Sequence, residues 1–425
     1  MSAGHPDAVR MRSFSEWLIA HPSDLAEYSA AKLAAAEQLR TAGPDVDVRR
    51  VYNTLKEPVV KRILADMAAA APTVAKPDAA VAASAASSGP TASSSIVSPL
   101  HVCVESEWSP LVVCAVNDGS SSADLSMDEW KASVSPEALA EHPETGPLDR
   151  AQIMQLARTF HEAMRAHRSS IELLYTVPQQ GAFCQIYSRD ACFVVGRTLF
   201  VASMRDSYRQ PEVEGIKHLM ERCRLADANS VVDLRSNAGG LPEVTVAVSS
   251  EPSAVASVSS SAPRVLIEGG DVLVVSRSLV LVGVGQITNE AGVAALRAAL
   301  AQRMPDCRVV SVPHTALHLD CCLAPVPDGS ALVCEAFFPA SSLALLSSLF
   351  TSLVSVDATE ALLSLAANVF WLDPSTVCCN ARTPLTNRWL HQRGYSLIPL
   401  DCTQLTNAWG SLRCITCPLI RQSER

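Results

Sequence analysis

The 425-residue sequence lacks the excess of basic residues that nucleic-acid binding requires. Its 34 Lys and Arg are outnumbered by 43 Asp and Glu, which gives a net charge of −9, whereas a protein that binds nucleic acid normally presents a basic face. With 48% hydrophobic and 18% charged residues, the composition is that of a globular protein with a substantial core. We therefore expect no nucleic-acid partner.

Apolar runs long enough for an export signal or a membrane span are also scarce. Residues 1–15 contain none, so we expect neither a secretory nor a transit peptide. The most apolar stretch, Phe337–Val356, contains Pro339 and many serines, which favours one or two buried helices over a membrane span. Without an export signal, the 14 cysteines are expected to be reduced thiols, most of them buried, in a cytoplasmic protein.

Composition divides the chain into three parts. Residues 1–67 are predicted to form an N-terminal helical extension, because Asp24–Arg40 is rich in Ala, Glu and Leu. Residues 68–99 are rich in Ala, Ser and Pro and are predicted to be a flexible linker, since they offer too little apolar surface to offset the entropy of ordering. Residues 100–425 are the main body, within which residues 249–263 resemble the linker and are predicted to be a disordered insertion.

A unit of two strands, a tight turn and a helix recurs along the main body. Residues 192–203 read CFVVGRTLFVAS, with a turn at Gly196 and Arg197, and a helical stretch follows at Glu212–Cys223. Residues 272–285 and 322–334 form similar strand pairs, and each precedes a helical stretch. Repetition of one such unit indicates a repeat-built body of the α/β class.

Four short polar motifs adjoin these strands and carry the candidate chemistry: SRD (188–190), EGGD (268–271), HLD (318–320) and GSLRC (410–414). We predict that HLD lies on a strand, so that His318 and Asp320 point to one face. Gly269 and Gly270 allow a close backbone approach or a positive φ beside Glu268. A cysteine, a histidine and several carboxylates are together the side chains needed for thiol attack on a cationic carbon.

The order RD, EGGD, HLD and then a turn with a cysteine near the C-terminus resembles the guanidino-group modifying superfamily, which includes arginine deiminases, dimethylarginine hydrolases and amidinotransferases. The resemblance covers about residues 102–422 and begins with EWSPLVVCAV. It implies a five-bladed, pentein-type α/β propeller of ββαβ units around a central site, preceded here by the extra helical segment. It also implies a small guanidino substrate, with no metal and no cofactor.

Carried over motif by motif, the resemblance assigns the catalytic roles. Cys414, as a thiolate, attacks the guanidinium carbon. Asp190 and Asp320 accept charge-assisted hydrogen bonds from the guanidinium nitrogens. His318 protonates the departing amine and then activates the incoming water or amine, while Glu268 orients His318 and stabilises its charged form.

The motifs divide between a hydrolase and a transferase. EGGD, whose Asp271 is predicted to bind substrate, resembles the deiminase and dimethylarginine hydrolase branch. That branch carries an Arg-Thr-Asn triplet whose Arg binds the substrate carboxylate. This chain has Gln286–Asn289 instead, with Ile287 in place of the Arg. The resulting Gln-x-Thr-Asn pattern is similar to that of the amidinotransferases. We therefore predict that Arg209 or Arg413 binds a substrate carboxylate, because an arginine fork matches a carboxylate.

Three hypotheses remain open. The first is a hydrolase that converts arginine or a methylated arginine to citrulline plus an amine or ammonia. The second is an amidinotransferase that moves the amidino group to an amine acceptor, and the third is a catalytically inactive binding module of the same fold. A homodimer is the one assembly we include among the expected partners.

The run from Cys414 to Cys417 is also a Cys-x-x-Cys motif, which is typical of a redox pair or half a metal site. A zinc site needs a second ligand pair, and the adjacent pairs 321–322 and 378–379 have unsuitable spacing. We predict that Cys417 packs within a strand. Cys321 and Cys322 directly follow HLD, and burial is the predicted role for both, with lining of the site as the alternative.

Overall fold

The computed structural model describes residues 100–120, 149–179, 184–223, 230–236, 263–406 and 408–423, together with Ala182 and a few isolated residues before residue 63. The predicted linker at residues 68–99 lies outside the described residues, as do residues 249–262 of the predicted insertion and most of the N-terminal extension. Contacts divide the chain into two units, with the boundary between Pro99 and Leu100. The fold described below is that of the unit beginning at Leu100.

The described residues form strands and helices that alternate along the chain. The strands are β1 (Leu111–Val116), β2 (Glu172–Tyr175), β3 (Cys192–Val195), β4 (Thr198–Val201), β5 (Val231–Asp233), β6 (Val272–Ser276), β7 (Leu279–Val284), β8 (Arg308–Pro313), β9 (Leu323–Pro325), β10 (Ala331–Val333), β11 (Leu353–Ser355), β12 (Phe370–Asp373), β13 (Thr376–Asn380), β14 (Ser396–Leu400) and β15 (Thr416–Arg421). The helices are α1 (Arg150–His167), α2 (Ser188–Ala191), α3 (Gln210–Cys223), α4 (Glu290–Arg303), α5 (Ala340–Leu349), α6 (Ala358–Ser364), α7 (Pro384–Gln392) and α8 (Thr403–Thr406).

These strands pair into five three-stranded sheets, each of which is one blade. In four blades the strands follow in chain order: β3-β4-β5, β6-β7-β8, β9-β10-β11 and β12-β13-β14. The first two strands of each pair antiparallel, and the third pairs in parallel with the second. A helix connects the second strand to the third, because a parallel pair needs a crossover connection. Each blade is therefore a ββαβ unit.

The remaining blade is closed by the last strand of the chain. Central strand β1 pairs in parallel with β2 and antiparallel with β15, so β15 occupies the place that β3 holds in the next blade. The predicted five-bladed α/β propeller of ββαβ units is confirmed by this topology. The first strands β15 and β3 of adjacent blades also contact each other, which draws the starts of the blades together.

The first two strands of the blades are mostly buried on both faces, which explains why the sequence shows continuous apolar runs there. Every residue of β3 and β4 is buried, and a strand covered on both sides has no polar face to alternate with. The hairpin between them turns at Gly196, whose φ of +56° is readily adopted only by glycine. The turn predicted at Gly196 and Arg197 is thus confirmed.

The apolar stretch Phe337–Val356 corrects one prediction. It contains helix α5 and then strand β11, which pairs in parallel with β10, so only part of it is helical. A pattern of apolar and serine residues does not distinguish a short buried strand from a second buried helix. Among the helices that the structure describes, none is long and apolar enough to cross a membrane.

Candidate active site

The polar motifs occupy equivalent places, because each immediately precedes the first strand of a blade. SRD begins the one-turn helix α2 before β3, Gly269–Asp271 form a 3₁₀ turn before β6, and Leu319–Cys321 form another before β9. HLD therefore does not lie on a strand, and the prediction that it does was wrong. Its turn is closed by backbone hydrogen bonds from Cys321 N–H to His318 C=O and from Cys322 N–H to Leu319 C=O, at 3.1 Å each.

Four residues share the position two before the first strand of their blades: Asp190 before β3, Cys321 before β9, Asn368 before β12 and Cys414 before β15. In the remaining blade this position is Gly270. Helix α2 contacts both the Gly269–Asp271 turn and β15, and that turn contacts Leu319–Cys321. The repeat therefore delivers residues from all five blades to one region.

His318 lies between two carboxylates. Its Nε2 donates to Oε2 of Glu268 at 3.0 Å, and its Nδ1 lies 3.6 Å from Oδ1 of Asp190. Glu268 is itself held in place, because its Oε1 accepts from the backbone N–H of Arg205 at 3.0 Å. Its own backbone N–H donates to Oγ1 of Thr288 at 3.2 Å. The predicted Glu268–His318 contact is therefore present in the structure.

Opposing effects act on the pKa of His318. Burial alone lowers it, since a buried imidazole loses hydration of its charged form. The negative charges of Asp190, Asp271 and Glu268, with the hydrogen bond to Glu268, outweigh burial and raise the pKa well above its usual value. The raised pKa favours the imidazolium form, in which both ring nitrogens carry N–H donors.

The two predicted substrate arginines instead hold two of the three predicted substrate carboxylates. Arg209 donates from Nη1 to Oδ2 of Asp190 at 3.0 Å and forms a bidentate pair with Glu212, at 2.9 and 2.7 Å. Its Nη1 also contacts Oε2 of Glu268 at 3.4 Å. These four contacts use nearly the whole guanidinium, which has five N–H donors. Arg209 therefore lies at the site but fixes Asp190.

Arg413 does the same for Asp320. Its Nη1 donates to Oδ2 of Asp320 at 2.7 Å, and its Nε and Nη2 form a bidentate pair with Glu107 at 3.0 Å each. A further bond runs from Nη2 to the carbonyl of Val272 at 2.8 Å. The role that this geometry gives to Arg413 is positioning of Asp320, rather than the predicted binding of a substrate carboxylate.

Cys414 lies two residues before β15, with its thiol against Asp320. Its Sγ is 4.0 and 3.9 Å from the two carboxylate oxygens of Asp320. Nδ2 of Asn368 donates to the same sulfur at 3.2 Å. The predicted nucleophile and this predicted guanidinium ligand are thus neighbours, and an amide N–H is aimed at the sulfur, where it stabilises a thiolate.

Asn368 is a site residue that no motif revealed. It also donates to the carbonyl of Asp320 at 3.0 Å and accepts from the backbone N–H of Arg413 at 3.0 Å, so it joins two of the motifs. The available signal was its place in the repeat, two residues before β12. Aligning the blade starts would have placed it beside Cys414.

Asp271 does not face the same surroundings as the other predicted substrate ligands. Its Oδ1 accepts from Nε2 of His314 at 3.0 Å and from the backbone N–H of Leu319 at 2.7 Å. Although burial opposes ionisation, these bonds and the nearby imidazoles keep the pKa of Asp271 below its usual value. Asp271 therefore supports the turn that follows His318.

The two glycines of EGGD permit close contacts. A Cβ on Gly270 would lie 2.7 Å from Cγ of His318 and 2.9 Å from Oδ1 of Asp190. A Cβ on Gly269 would lie 2.0 Å from the carbonyl oxygen of Arg189. Close approach, rather than a positive φ, is thus the reason that glycine is needed at both positions.

Within the part of the chain that the structure describes, two groups of side chains have the donor atoms of a metal site, and the donor atoms of each group lie within 4.8 Å of one another. They are Asp320, Cys321 and Cys414, and Asp190, Glu268 and His318. In both groups an arginine already neutralises a carboxylate, Arg413 in the first and Arg209 in the second. That positive charge disfavours a divalent cation at either place. The absence of a metal stays a prediction.

Comparison with known proteins agrees with this arrangement. The family model described as arginine deiminase matches residues 253–346 and 345–421, and that described as GrpB protein matches residues 1–66, the predicted helical extension. Uncharacterized protein YkgA of Bacillus subtilis (strain 168) is 27% identical over 262 residues, which are 61% of this chain and 77% of that protein.

Solved structures of similar fold include transferases and a hydrolase. The inosamine-phosphate amidinotransferase of Streptomyces griseus has a TM-score of 0.56 at 17% identity, covering 76% of this chain and 97% of its own. An amidinotransferase of the saxitoxin biosynthetic pathway from Microseira wollei has a TM-score of 0.55 at 18% identity, covering 76% and 98%. A DDAH variant from Pseudomonas aeruginosa, complexed with citrulline, has a TM-score of 0.54 at 17% identity, covering 72% and 99%.

The comparisons establish the fold and a partial family match. The fold is the pentein-type α/β propeller, shared with these solved structures. The arginine deiminase family model matches the part of the chain that contains the EGGD, HLD and GSLRC motifs. The fold that the motif resemblance implied is thereby confirmed.

Proposed function

We propose that this chain is a cysteine-dependent hydrolase that converts arginine or a methylated arginine to citrulline plus ammonia or an amine. One observation carries the proposal: each of two buried carboxylates keeps one oxygen ready to accept a hydrogen bond. Oδ1 of Asp190 has no hydrogen-bond donor among the described residues, and Oδ1 of Asp320 faces two thiols, Cys321 at 3.6 Å and Cys414 at 4.0 Å, which are weak donors. A planar guanidinium supplies several N–H donors to such oxygens.

The arginines explain why these oxygens point where they do. Arg209 binds Oδ2 of Asp190 and Arg413 binds Oδ2 of Asp320, so each carboxylate is fixed by one oxygen and leaves the other for a ligand. A side chain locked in this way loses little entropy when substrate binds, and the reacting carbon is held in place relative to the nucleophile. Both arginines are positioning residues in this proposal.

In the first half of the reaction, the thiolate of Cys414 attacks the guanidinium carbon and forms a C–S bond. The N–H of Asn368, 3.2 Å from the sulfur, stabilises the thiolate before attack. The imidazolium of His318 gives a proton to the departing nitrogen, the C–N bond breaks, and ammonia or an amine leaves. An amidino group remains attached to Cys414.

In the second half, water replaces the sulfur. Neutral His318 takes a proton from water, which attacks the amidino carbon, and the C–S bond then breaks. The oxygen remains on the carbon as the ureido group of citrulline, the second proton of the water passes through solvent to the released ammonia or amine, and Cys414 is again a thiolate. Glu268, 3.0 Å from Nε2, stabilises His318 each time the ring becomes charged.

The hydrolase proposal is tested by a ureido-product assay with arginine, dimethylarginine and agmatine. We expect product from at least one of the two amino acids. No ureido product from any of the three would contradict the proposal. Agmatine lacks the carboxylate of arginine, so comparison of the two rates reports whether that carboxylate is recognised.

A transferase is the second candidate, favoured by the segment where the deiminase branch carries an arginine. Here Ile287 is buried and Asn289 caps helix α4 by accepting from the N–H of Gly292. The segment therefore offers no cation for a substrate carboxylate. An amidinotransferase would release ornithine from arginine only when an amine acceptor is added, and ornithine release without an acceptor would contradict it.

Replacing Glu268 with glutamine is expected to move the basic limb of the kcat/KM profile to lower pH by about one unit or more. The raised pKa of His318 keeps the acid charged as pH rises, and loss of the Glu268 charge lowers that pKa. The measurement is the pH dependence of kcat/KM. Glu360→Gln removes a buried carboxylate that binds the start of α7, and should leave the limb where it is. If the basic limb of Glu268→Gln stays at the wild-type pH, Glu268 does not control the pKa of His318.

Replacing Asn368 with alanine is expected to lower kcat about 10- to 100-fold, because a hydrogen bond to a charged group contributes about 1.5–3 kcal/mol. The control is Asn380→Ala, which removes another buried amide that donates to the carbonyl of Ser364 at 2.9 Å. Both variants lose a buried hydrogen bond, but only Asn368→Ala should have a lower kcat once the rate is divided by the concentration of folded protein. Equal effects of the two variants on kcat would contradict contact between Asn368 and the reacting thiolate.

A further inference from the structure

A second thiol lies beside the candidate nucleophile. The sulfurs of Cys321 and Cys414, with a carboxylate oxygen of Asp320, all lie within 4.8 Å of one another. Cys321 holds the same place in its blade as Cys414 does, two residues before the first strand. The repeat that brings Cys414 to the centre therefore brings Cys321 there as well.

The two thiols have different neighbours. Contact with Cys414, burial and the charge of Asp320 raise the pKa of Cys321 well above its usual value, so Cys321 keeps its proton. The sulfur of Cys414 instead receives the amide N–H of Asn368 at 3.2 Å. Two adjacent thiols in different surroundings are the arrangement in which one sulfur is oxidised first and the second then reacts with it.

We propose that Cys321 is a resolving thiol, which forms a reversible disulfide with Cys414 after a hydroperoxide has oxidised Cys414. First, the thiolate of Cys414 attacks hydrogen peroxide, the O–O bond breaks, and the products are a sulfenic acid on Cys414 and hydroxide. Next, the sulfur of Cys321 attacks the sulfur of Cys414, and the S–O bond breaks. The oxygen leaves as water with the proton of Cys321. Each hydrogen peroxide thus oxidises two thiols to one disulfide.

Access to this pair follows from the reaction proposed for the site. Hydrogen peroxide is smaller than any guanidino compound, so an opening that admits the substrate to Cys414 admits the oxidant. A second pair, Cys192 and Cys417, has its sulfurs 3.5 Å apart, but both residues lie within strands and are fully buried. Oxidation is therefore directed to the pair at the site.

The disulfide has two consequences. It removes the nucleophile, so turnover stops, and it diverts the sulfenic acid from irreversible oxidation to sulfinic and sulfonic acids. A dithiol reductant restores both thiols. This proposal rests on the proposed function only because that function makes Cys414 the reactive thiol. The disulfide can be detected by its mass even if the protein turns over no substrate.

The test is peptide mapping by mass spectrometry of the full chain after treatment with hydrogen peroxide. In the wild type we expect a linked peptide pair containing Cys321 and Cys414, two hydrogens lighter than the sum of the peptides, and recovery of the thiols with dithiothreitol. In Cys321→Ser we expect sulfinic and sulfonic acids on Cys414 that dithiothreitol does not reverse. Cys321→Ala repeats the test in case the serine variant does not fold.

The control is Cys322→Ser, because the thiol of Cys322 contacts the carbonyls of Leu319 and His318 instead of Cys414. This variant should still form the linked peptide. A disulfide only between Cys192 and Cys417, or equal over-oxidation of Cys414 in the wild type and Cys321→Ser, would overturn the proposal. An active enzyme with no linked peptide would reject the disulfide alone, whereas a linked peptide without activity on guanidines would reject the proposed function alone.

Discussion

Cys414→Ser is expected to reduce turnover by about 10⁴-fold or more while the protein stays folded. A serine hydroxyl is a far weaker nucleophile than a thiolate at neutral pH, and Nε2 of His318 is already bound to Glu268 at 3.0 Å, so this nitrogen does not activate the hydroxyl. The measurement is kcat with the preferred guanidino substrate. Binding of that substrate, measured by calorimetry, should survive because the carboxylates of Asp190 and Asp320 remain.

Cys417→Ser is the matched control for this result. Cys417 lies three residues further along, and its sulfur contacts Cys192 rather than the site. We expect its folded fraction to retain most of the turnover. Turnover by Cys414→Ser within a few-fold of the wild type would indicate a nucleophile elsewhere and would contradict the mechanism. No turnover by either protein, with ligand binding intact, would support the inactive binding module.

Arg413→Met is expected to lower the free energy of unfolding by about 3–5 kcal/mol, because it leaves two buried carboxylates without their countercharge. Glu107 and Asp320 are both buried and both bind Arg413, at 3.0 and 2.7 Å. Urea unfolding at pH 7 measures the loss. Arg388→Met removes an exposed arginine from α7 and should change stability by no more than about 0.5 kcal/mol.

The same variant has a pH dependence with a definite sign. Burial disfavours the charged form of Glu107, but Arg413 and Arg189 more than offset it and lower the pKa to about 2 from 4.5. Ionised Glu107 therefore stabilises the wild type fully above pH 4.5, and this contribution is lost as pH falls through the pKa of the folded protein. The difference in unfolding free energy between wild type and Arg413→Met should become smaller below pH 4.5. A difference that stays constant with pH would show that Glu107 is not its source.

The blades could be predicted because each of these strands has a signature within its own few residues of sequence. Strands such as β3 and β4 are buried on both faces, so they are continuous apolar runs, and Gly196 marks the turn between them. The motifs at the blade starts were visible for the same reason, as polar residues beside apolar runs. What the runs could not show is the backbone after His318, which folds as a 3₁₀ turn whose N–H groups bond to Asp271 and to the turn itself.

The roles of the arginines depended on partners distant in sequence. Glu107, which binds Arg413, is 306 residues away from it along the chain. No spacing rule connects such a pair, and an arginine near a cysteine nucleophile was therefore assigned to the substrate. Glu212, only three residues from Arg209 and on the same helical segment, was a local signal that Arg209 already had a carboxylate partner.

Asn368 was missed for a different reason. It belongs to no motif, and a single asparagine before a strand is typical of any turn. Only the comparison of blade starts, which needs the strand boundaries, shows that it and Cys414 hold equivalent places.

The most direct measurement of the central claim is the mass of the intact protein, rapidly quenched during turnover of arginine or a methylated arginine. The account predicts an added mass equal to the substrate less the departing ammonia or amine, localised by fragmentation to Cys414 and absent from Cys414→Ser. Turnover without any adduct on Cys414, or the same adduct on another residue, would contradict it.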